Sequence, residues 1–235
     1  MPSILKKLWR NRWVLRSLPS SIYLNFHYLP FRQAVKLPIL TYKPKLDSCK
    51  GTVTIEGPIR FGMIKLGAYT VSIYPNNGIM FSNRGKIIFN GETRIGNDSA
   101  ISVNETGTLT FGEHFSATCG FRVACYNSIS FDRRVLVGWN CMFSDTDFHL
   151  LKNISGHKRG IGYGPISIGH DCWIANGCKI YKNVTIPHSC VVGADTALVR
   201  AVDLKPYSLI CNDTPVKVKV EGVWHDLDDN IIVYK

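Results

Sequence analysis

The 235-residue chain lacks several patterns that would assign it quickly to a protein class. Basic residues interrupt every apolar stretch before it reaches the roughly 18 residues of a membrane-spanning helix, so we expect no transmembrane segment. The charged end followed by a clean apolar run that marks a secretory signal is also missing, so we expect no export and a cytoplasmic location. The eight cysteines include no C-x-x-C pair, and we expect free thiols, as in a reducing compartment.

Acidic residues are few: 17 Asp and Glu stand against 28 Lys and Arg, which gives a formal net charge of +11. This balance suits an anionic partner, whether a nucleic acid, a phosphate-rich cofactor or a membrane surface. The basic residues do not alternate with aromatics along a recognisable nucleic-acid-binding module, so we expect no nucleic acid. The glycines at 160, 162 and 164 lack the strand before and the helix after that a nucleotide-binding loop requires.

A hexad period organises the stretch 166–219. Aliphatic residues recur at eight successive sixth positions, from Ile168 to Ile210, and a small or β-branched residue stands four places after each of the first seven, up to Val202 and Ser208. Helices repeat at about 3.6 residues and strands at about 2, so neither fits as one continuous element. The period instead indicates a coil of short strands separated by turns, each strand stacking on its counterpart in the next coil.

Several cysteines occupy the small position of these hexads. Cys172 and Cys190 are three hexads apart, which places one above the other in adjacent coils. At a strand spacing of about 4.8 Å they are close enough for a disulfide. Free core thiols that fill a small space are the preferred interpretation.

Two hexads carry a resemblance to a known family. Ile168-Gly-His-Asp-Cys-Trp173 and Val192-Gly-Ala-Asp-Thr-Ala197 are similar to the repeat of the hexapeptide acyltransferases, notably the bacterial sugar and polysaccharide O-acetyltransferases. The resemblance covers about residues 50 to 220 and implies a left-handed parallel β-helix with three hexads per triangular coil. It also implies a homotrimer, acetyl-CoA as acyl donor and a hydroxyl of a sugar or polysaccharide precursor as acceptor. Parallel crossovers are usually right-handed, so the left hand comes from the resemblance alone.

Residues 1–50 differ in kind from the hexads. Basic residues alternate there with apolar ones, including Trp9 and Trp13, and prolines follow at 30, 38 and 44. Such a segment either lies on an anionic membrane as a peripheral contact or packs across the end of the β-helix and covers its open edge. The prolines divide it into short pieces, which favours the cap. At the other end, residues 220–235 are predicted to form a short element that packs back on the coils.

The β-helix domain is predicted to span 51–219, with one interruption. Residues 51–143 show short alternating strands with Gly and Asn between them, which indicates earlier coils with wider corners; a β-sandwich is the alternative. Between Phe143 and Ile166 the period fails, and 144–165 is polar and glycine-rich. A solenoid accommodates such an insertion as a loop projecting from a corner, where function is commonly placed.

His149 is the candidate catalytic base of this loop. In the acyltransferases that the chain resembles, a histidine at this point takes the proton of the acceptor hydroxyl as it attacks the thioester. Asp147 or Asp145 is expected to hold the imidazole tautomer, and His157 to contact the acceptor; the alternative for each is a solvated side chain. Leu150 stands where maltose and galactoside acetyltransferases have proline, so their acceptor is not carried over.

The resemblance also implies residues for the acyl donor. An aromatic residue borders the donor channel, small residues let a thin pantetheine arm approach the backbone, and cations after the last coil meet the phosphates of coenzyme A. The corresponding residues of this chain are Trp173, Ala175, Gly193, Lys205 and Lys217.

Two other functions fit the same scaffold. His170 and His188 are three hexads apart and are expected to stack, as in half of the zinc site of a γ-class carbonic anhydrase. A catalytic zinc needs three protein ligands, and the residue at the next equivalent position, 152, is Lys152, so we expect no metal. The second alternative is a non-enzymatic binding solenoid, for which His149 is dispensable.

Overall fold

A computed structural model of the chain describes residues 12–149, 151–152, 158–159 and 161–212. The predicted element at 220–235 and the site residues His157 and Lys217 lie outside this range. Two helices open the described chain, α1 (Arg12–Tyr28) and α2 (Phe31–Ala34), and strands make up most of its remainder.

The strands form three sheets that the chain visits in turn. Sheet 1 contains β1 (Ile39–Thr41), β4 (Ile64–Ala68), β7 (Thr93–Gly96), β10 (Phe115–Ala117), β13 (Leu136–Val137), β18 (Trp173–Ile174), β21 (Val191–Val192) and β23 (Leu209–Ile210). Sheet 2 contains β2 (Pro44–Cys49), β5 (Ile79–Asn83), β8 (Ser99–Val103), β11 (Arg122–Cys125), β14 (Met142–Ser144), β19 (Lys179–Tyr181) and β22 (Ala197–Leu198). Sheet 3 contains β3 (Thr52–Ile55), β6 (Lys86–Phe89), β9 (Thr108–Phe111), β12 (Ser128–Phe131), β17 (Ile166–Ile168) and β20 (Thr185–Ile186).

The strand register confirms the coil predicted from the hexads. Trp173 pairs in parallel with Val191, which stands three hexads further along the chain. Earlier coils are longer, since Ile101 pairs with Val123, a step of more than three hexads. The pairings between strands within each of the three sheets are parallel, which excludes the β-sandwich alternative. The all-β fold class is confirmed as a parallel β-helix and is consistent with the left-handed form.

The corners where the chain passes from one sheet to the next use left-handed backbone conformations. Asp98, Asn140, Asp171, Asn183 and Asp195 have φ values between 57° and 63°. Asn and Asp tolerate this region better than other side-chain-bearing residues because their short polar groups bond to the local backbone. The Asp in the hexads beginning at Ile168 and Val192 is therefore a turn residue.

Aromatic rings fill the earlier coils of the core. Phe89, Phe111 and Phe131 occupy equivalent positions of sheet 3 and stack face to face, with ring centroids 5.3 and 5.7 Å apart. All three side chains are at most 1% exposed. In the later coils the aliphatic hexad positions from Ile168 to Leu198 are buried as predicted. Val202, at the small position of its hexad, is 46% exposed, because the described chain has no strand after β22 in sheet 2 or after β20 in sheet 3.

The cysteines are free thiols, as expected. Six of the eight are buried, among them Cys172 and Cys190, which lie in adjacent coils. Burial raises the pKa of the Cys172 thiol to about 11, so it stays protonated and unreactive at neutral pH.

Helix α1 covers the open edge of the first coil, as the cap interpretation predicted. The side-chain amide of Asn25 donates to the carbonyl of Ile39 (2.7 Å) and accepts from its N–H (3.1 Å). The N–H of Thr41 donates to Ser21 Oγ at 2.9 Å. These polar side chains take the place of a neighbouring strand beside β1. Among the described residues, no helix has the length and apolarity to cross a bilayer.

We predict that Phe111→Ala lowers the free energy of unfolding by about 3 to 5 kcal/mol, because it opens a cavity between two stacked rings. Thr110→Ala, on the outward side of the same strand, is the matched control and is expected to cost less than about 0.5 kcal/mol. Urea unfolding of both variants measures the difference. Equal costs would contradict the assignment of Phe111 to the continuous core.

Candidate functional site

The predicted projecting loop is an antiparallel hairpin. At its base the N–H of Asp147 donates to the carbonyl of Gly162 (2.8 Å), and the N–H of Gly164 donates to the carbonyl of Asp145 (2.9 Å). Further out, β15 (Leu151–Lys152) pairs with β16 (Lys158–Arg159). We call residues 145–164 the arm, and it leaves the fifth coil between β14 and β17.

The arm is held tightly against the coils on both sides. The corner of the preceding coil lies at Tyr126 and Asn127, and that of the following coil at Lys182 and Asn183. Gly164 sits against the latter corner, since a Cβ at this position would overlap the side-chain amide of Asn183. A side chain at Gly164 would therefore displace the side chain of Asn183.

Asp145 lies at the base of the arm and bonds to the preceding coil. Its side chain is fully buried, and its two oxygens accept hydrogen bonds from the backbone N–H groups of Tyr126 and Asn127, both at 2.7 Å. Two backbone N–H groups that donate to one buried carboxylate fix its position. Asp145 thus fastens the base of the arm to the preceding corner, and its predicted role toward His149 stays a prediction.

Asp147 fastens the arm on its other side. One carboxylate oxygen pairs with the ammonium of Lys182, which also donates to the carbonyl of Ile161 at 3.2 Å. Lys182 belongs to the corner of the sixth coil. The second oxygen of Asp147 has no partner among the described residues, so the predicted role of Asp147 toward His149 stays a prediction.

His149 lies exposed at the point where the arm leaves its base. The preceding residue, Phe148, has a left-handed backbone (φ 60°), and its N–H bonds to Thr146 Oγ1 at 3.1 Å. This turn directs the chain at His149 along a cavity of about 210 Å³ lined by Thr146, Phe148, His149, Gly162 and Tyr163. The imidazole therefore borders a concave, solvent-open surface.

A second cavity adjoins the first. It measures about 290 Å³, shares Thr146 and Tyr163 with the cavity beside His149, and is completed by Thr106, Tyr126 and Asn127 from the coil corners. Tyr126 also packs edge-on against Phe148, with ring centroids 5.2 Å apart. The lining of this second cavity carries hydroxyl, amide and aromatic groups, and no charged side chain among the described residues.

The residues predicted for the acyl donor lie on or beside sheet 1. Trp173 is 49% exposed on this sheet and borders a small cavity of about 190 Å³ that also contacts Trp139. Ala175 and Gly193 follow β18 and β21 at one corner, in adjacent coils. Lys205 is exposed at the opposite end of sheet 1, ahead of β23. The described chain does not bring these residues together with His149, which belongs to the corner between sheets 2 and 3.

The histidine pair behind the zinc alternative stacks as expected. The rings of His170 and His188 are 4.6 Å apart and nearly parallel. Position 152 is not the next equivalent, however, because the arm displaces the register: Lys152 lies in β15, and Phe131 pairs with Ile168, so Arg133 aligns with His170. Among the described residues no three His, Cys, Asp or Glu side chains form a cluster suited to a metal ion.

Asp171 sits between this histidine pair and a cation. Its carboxylate bonds Arg134 at 2.5 Å and His170 Nδ1 at 2.7 Å. The Arg134 guanidinium, and after it His170, hold the pKa of Asp171 well below its usual range. Asp171 therefore stays ionised and links the corners of two successive coils.

Sequence reasoning missed the residues that build the cavities. Tyr126 and Tyr163 are far apart in sequence, and only the fold brings them to the two sides of Thr146. Lys182 was missed as well, although it directly follows β19, which pairs with the strand that leads into the arm. Their positions depend on the register across the irregular fifth coil, which the hexad period does not supply.

We predict that Asp145→Asn lowers the free energy of unfolding by about 1 to 3 kcal/mol, because it leaves a buried backbone N–H facing an amide that cannot accept from it. Asp147→Asn is the matched control on the same arm. Its ion pair is partly exposed, so its loss is expected to cost less than about 1 kcal/mol. Denaturant unfolding of the two variants measures both costs. If Asp145→Asn costs no more than Asp147→Asn, the role assigned to Asp145 in fastening the arm is contradicted.

Comparison with known proteins finds no matching protein family and no similar curated protein. Among solved structures, the chain is similar to the polySia specific acetyltransferase NeuO, with 14% identical residues and a TM-score of 0.48. The similarity covers 82% of this chain and 83% of that one. Identity this low leaves the reaction of the present chain to be argued from its own residues.

Proposed function

We propose that the protein is an acyltransferase that moves an acetyl group from acetyl-CoA to a hydroxyl of a sugar or polysaccharide precursor, with His149 as general base. The observation that carries the proposal is the position of His149. It is exposed at the base of the projecting arm and borders a cavity that shares Thr146 and Tyr163 with a second one, whose described lining is uncharged. The hexads that resemble those of hexapeptide acyltransferases add a second, independent support.

The chemistry asked of His149 is proton transfer. A sugar hydroxyl has too high a pKa to attack a thioester while it keeps its proton, so a positioned imidazole removes that proton as the new C–O bond forms. When the C–S bond breaks, the same imidazolium returns the proton to the departing thiolate, and the products are an ester and a free thiol. Acetyl-CoA supplies the activated acyl group.

Asp147 is the carboxylate that we assign to orient the imidazole. It stands two positions before His149, and Lys182 occupies only one of its oxygens. A carboxylate held on one side by a cation is fixed in direction, which suits a group that must hold a histidine tautomer. Asp145 is fully buried and accepts from two backbone amides, so we assign it to support of the arm and not to the proton transfer.

The uncharged cavity is the acceptor site in this proposal. Hydroxyl and amide groups of Thr106, Asn127 and Thr146 match the alternating donors and acceptors of a sugar, and the rings of Tyr126 and Tyr163 offer apolar faces. His157, outside the described residues, remains a proposed acceptor contact.

The donor site requires a second copy of the chain. Trp173, Ala175 and Gly193 lie on sheet 1 or at its end, and His149 lies at the corner between the other two sheets. A cyclic assembly places one surface of a subunit against a different surface of its neighbour. It can therefore bring His149 of one copy next to sheet 1 of another. We therefore propose a homotrimer in which acetyl-CoA lies along sheet 1 of one copy, near Lys205 and Lys217, and meets His149 of the next.

The small residues at the end of sheet 1 fit a thin ligand. Gly138, Ala175 and Gly193 follow one another in successive coils, with N–H groups that pair in register to the next coil. At these three stacked positions of the described coils no long side chain covers the backbone. An extended chain such as pantetheine can therefore approach the backbone there. We place the protein in the cytoplasm, where acetyl-CoA and reduced thiols coexist, and we assign it no metal.

We predict that His149→Asn lowers kcat/KM for acetyl transfer by at least about 100-fold, the usual contribution of a general base. Thiol release from acetyl-CoA measures the rate, with an acceptor found by screening glycosides for a gain of one acetyl group by mass spectrometry. His114→Asn is the matched control, because His114 is also exposed and lies at a corner far along the chain from the arm.

The control is expected to keep activity within about threefold of the parent, and both variants are expected to keep its melting temperature and its assembly size. Near-parental turnover in His149→Asn would remove His149 from the mechanism. His149→Gln is measured beside it in case the shorter amide disturbs assembly, and activity in either folded variant contradicts the role.

A further inference from the structure

Helix α1 buries its polar side and exposes its apolar side. Ser17, Ser21 and Asn25 are at most 1% exposed. On the opposite side, Ile22, Tyr23 and Phe26 are 45%, 49% and 47% exposed. An ordinary surface helix has the reverse arrangement, with its apolar stripe against the core.

The buried polar side has a structural reason. The outer edge of β1 presents backbone groups that would otherwise lack partners, and Ser21 and Asn25 satisfy them. Leu24 supplies apolar contact on the same side of the helix, since it is 1% exposed. The requirements of the edge strand explain why polar groups face inward. They do not explain why three large apolar side chains face outward.

The exposed apolar side continues into α2. Phe31 is 72% and Val35 50% exposed, and the ring of Phe31 lies 6.0 Å from that of Phe26. We call Ile22, Tyr23, Phe26, Phe31 and Val35 the outer patch. It lies on the far side of α1 and α2 from the coils. A contiguous cluster of this kind, as opposed to scattered apolar residues, marks an interaction surface.

Two exposed cations stand next to the outer patch. Arg32 and Lys36 are exposed beside Phe31 and Val35. The segment from the first residue to Leu46 contains nine Lys and Arg and no Asp or Glu. Nine of the 28 basic residues therefore lie in this segment, and the rest of the chain is close to balanced, with 19 basic against 17 acidic residues.

We propose that the outer patch docks the protein on an anionic membrane surface. Aromatic and branched aliphatic side chains enter the boundary between headgroups and acyl chains, and basic side chains beside them contact lipid phosphates. Tyr23 has the apolar ring and polar tip that suit this boundary. The coils then extend away from the bilayer, with α1 and α2 between them and the lipid.

The charge pattern favours a lipid surface over a second copy of the chain. Two copies that met patch to patch would bring Arg32 and Lys36 of each close to the same cations of the other, with no acidic residue in the segment to offset them. An anionic bilayer neutralises these charges instead. The inference does not rest on acyl transfer, since it concerns the end of the β-helix and no residue of the arm.

The test is vesicle binding by the full chain. Sucrose-loaded vesicles of phosphatidylcholine, with or without about 30 mol% phosphatidylglycerol, are sedimented with the protein. Binding is expected for the anionic vesicles, and it is expected to weaken as salt is raised because the phosphate contacts are screened.

Ile22→Ser/Phe31→Ser is expected to lower the partition coefficient by about tenfold or more, since it removes two apolar side chains that enter the boundary. Arg32→Glu/Lys36→Glu is expected to lower it by a similar factor.

Matched controls change exposed residues elsewhere. Ile73→Ser/Val199→Ser removes two aliphatic side chains that are 69% and 63% exposed, and Lys86→Glu/Arg94→Glu reverses two exposed charges on the coils. Both controls are expected to bind like the parent. Unchanged binding by the two patch variants, equal binding to neutral vesicles, or no vesicle binding at all would overturn the proposal. So would a change in sedimentation coefficient caused by the patch variants alone, because the patch would then join copies of the chain.

Discussion

The structure depends on parallel hydrogen bonding between successive coils. Each strand finds its partners in the strand of the next coil, so the backbone of a coil is satisfied by its neighbours and not by itself. Two consequences arise from this. Every coil can carry short, simple strands, some as short as Val191–Val192, and the edge of the first coil needs another element to cover it. Helix α1 meets that second need, through Ser21 and Asn25.

The same constraint explains where function is placed. A coil tolerates an insertion only at a corner, where pairing is already interrupted, and the arm occupies the corner between sheets 2 and 3 of the fifth coil. Asp145 and the Asp147–Lys182 pair fasten its base to the coils before and after it. A histidine on an arm fixed at both sides keeps a defined position relative to the cavity walls, which the proposed acid–base chemistry requires.

Much of the fold could be predicted from the sequence, because the hexads from Ile168 to Leu198 follow one strict rule. The same six-residue period predicts the buried thiols at its small position and the stacking of His170 on His188. The break in the period predicts the projecting arm. The exceptions arise where the rule is interrupted. Arg133, and not Lys152, aligns with His170, since the arm adds residues without adding a coil. Val202 is exposed because pairing ends before it in two sheets.

The candidate site was less predictable, because its contacts join residues from different coils. His149 was identified through a motif and a break in the period, both visible in the sequence. The burial of Asp145 against the N–H groups of Tyr126 and Asn127 depends on the distance between two corners, which no local pattern encodes. Likewise, the basic and apolar residues of the first helix were evident, but the side that faces the coils is decided by the unpaired edge of β1.

The central claim is that one copy supplies His149 and another supplies sheet 1 to a shared site. Mixed assembly of two separately inactive chains, His149→Asn and Trp173→Ala, tests it most directly, by the rate of thiol release after joint refolding. Random mixing gives about a quarter of the sites both intact groups, so activity is expected to recover toward that fraction of the parental rate. A mixture no more active than the average of its two components would show that each chain holds a complete site, and would contradict the account.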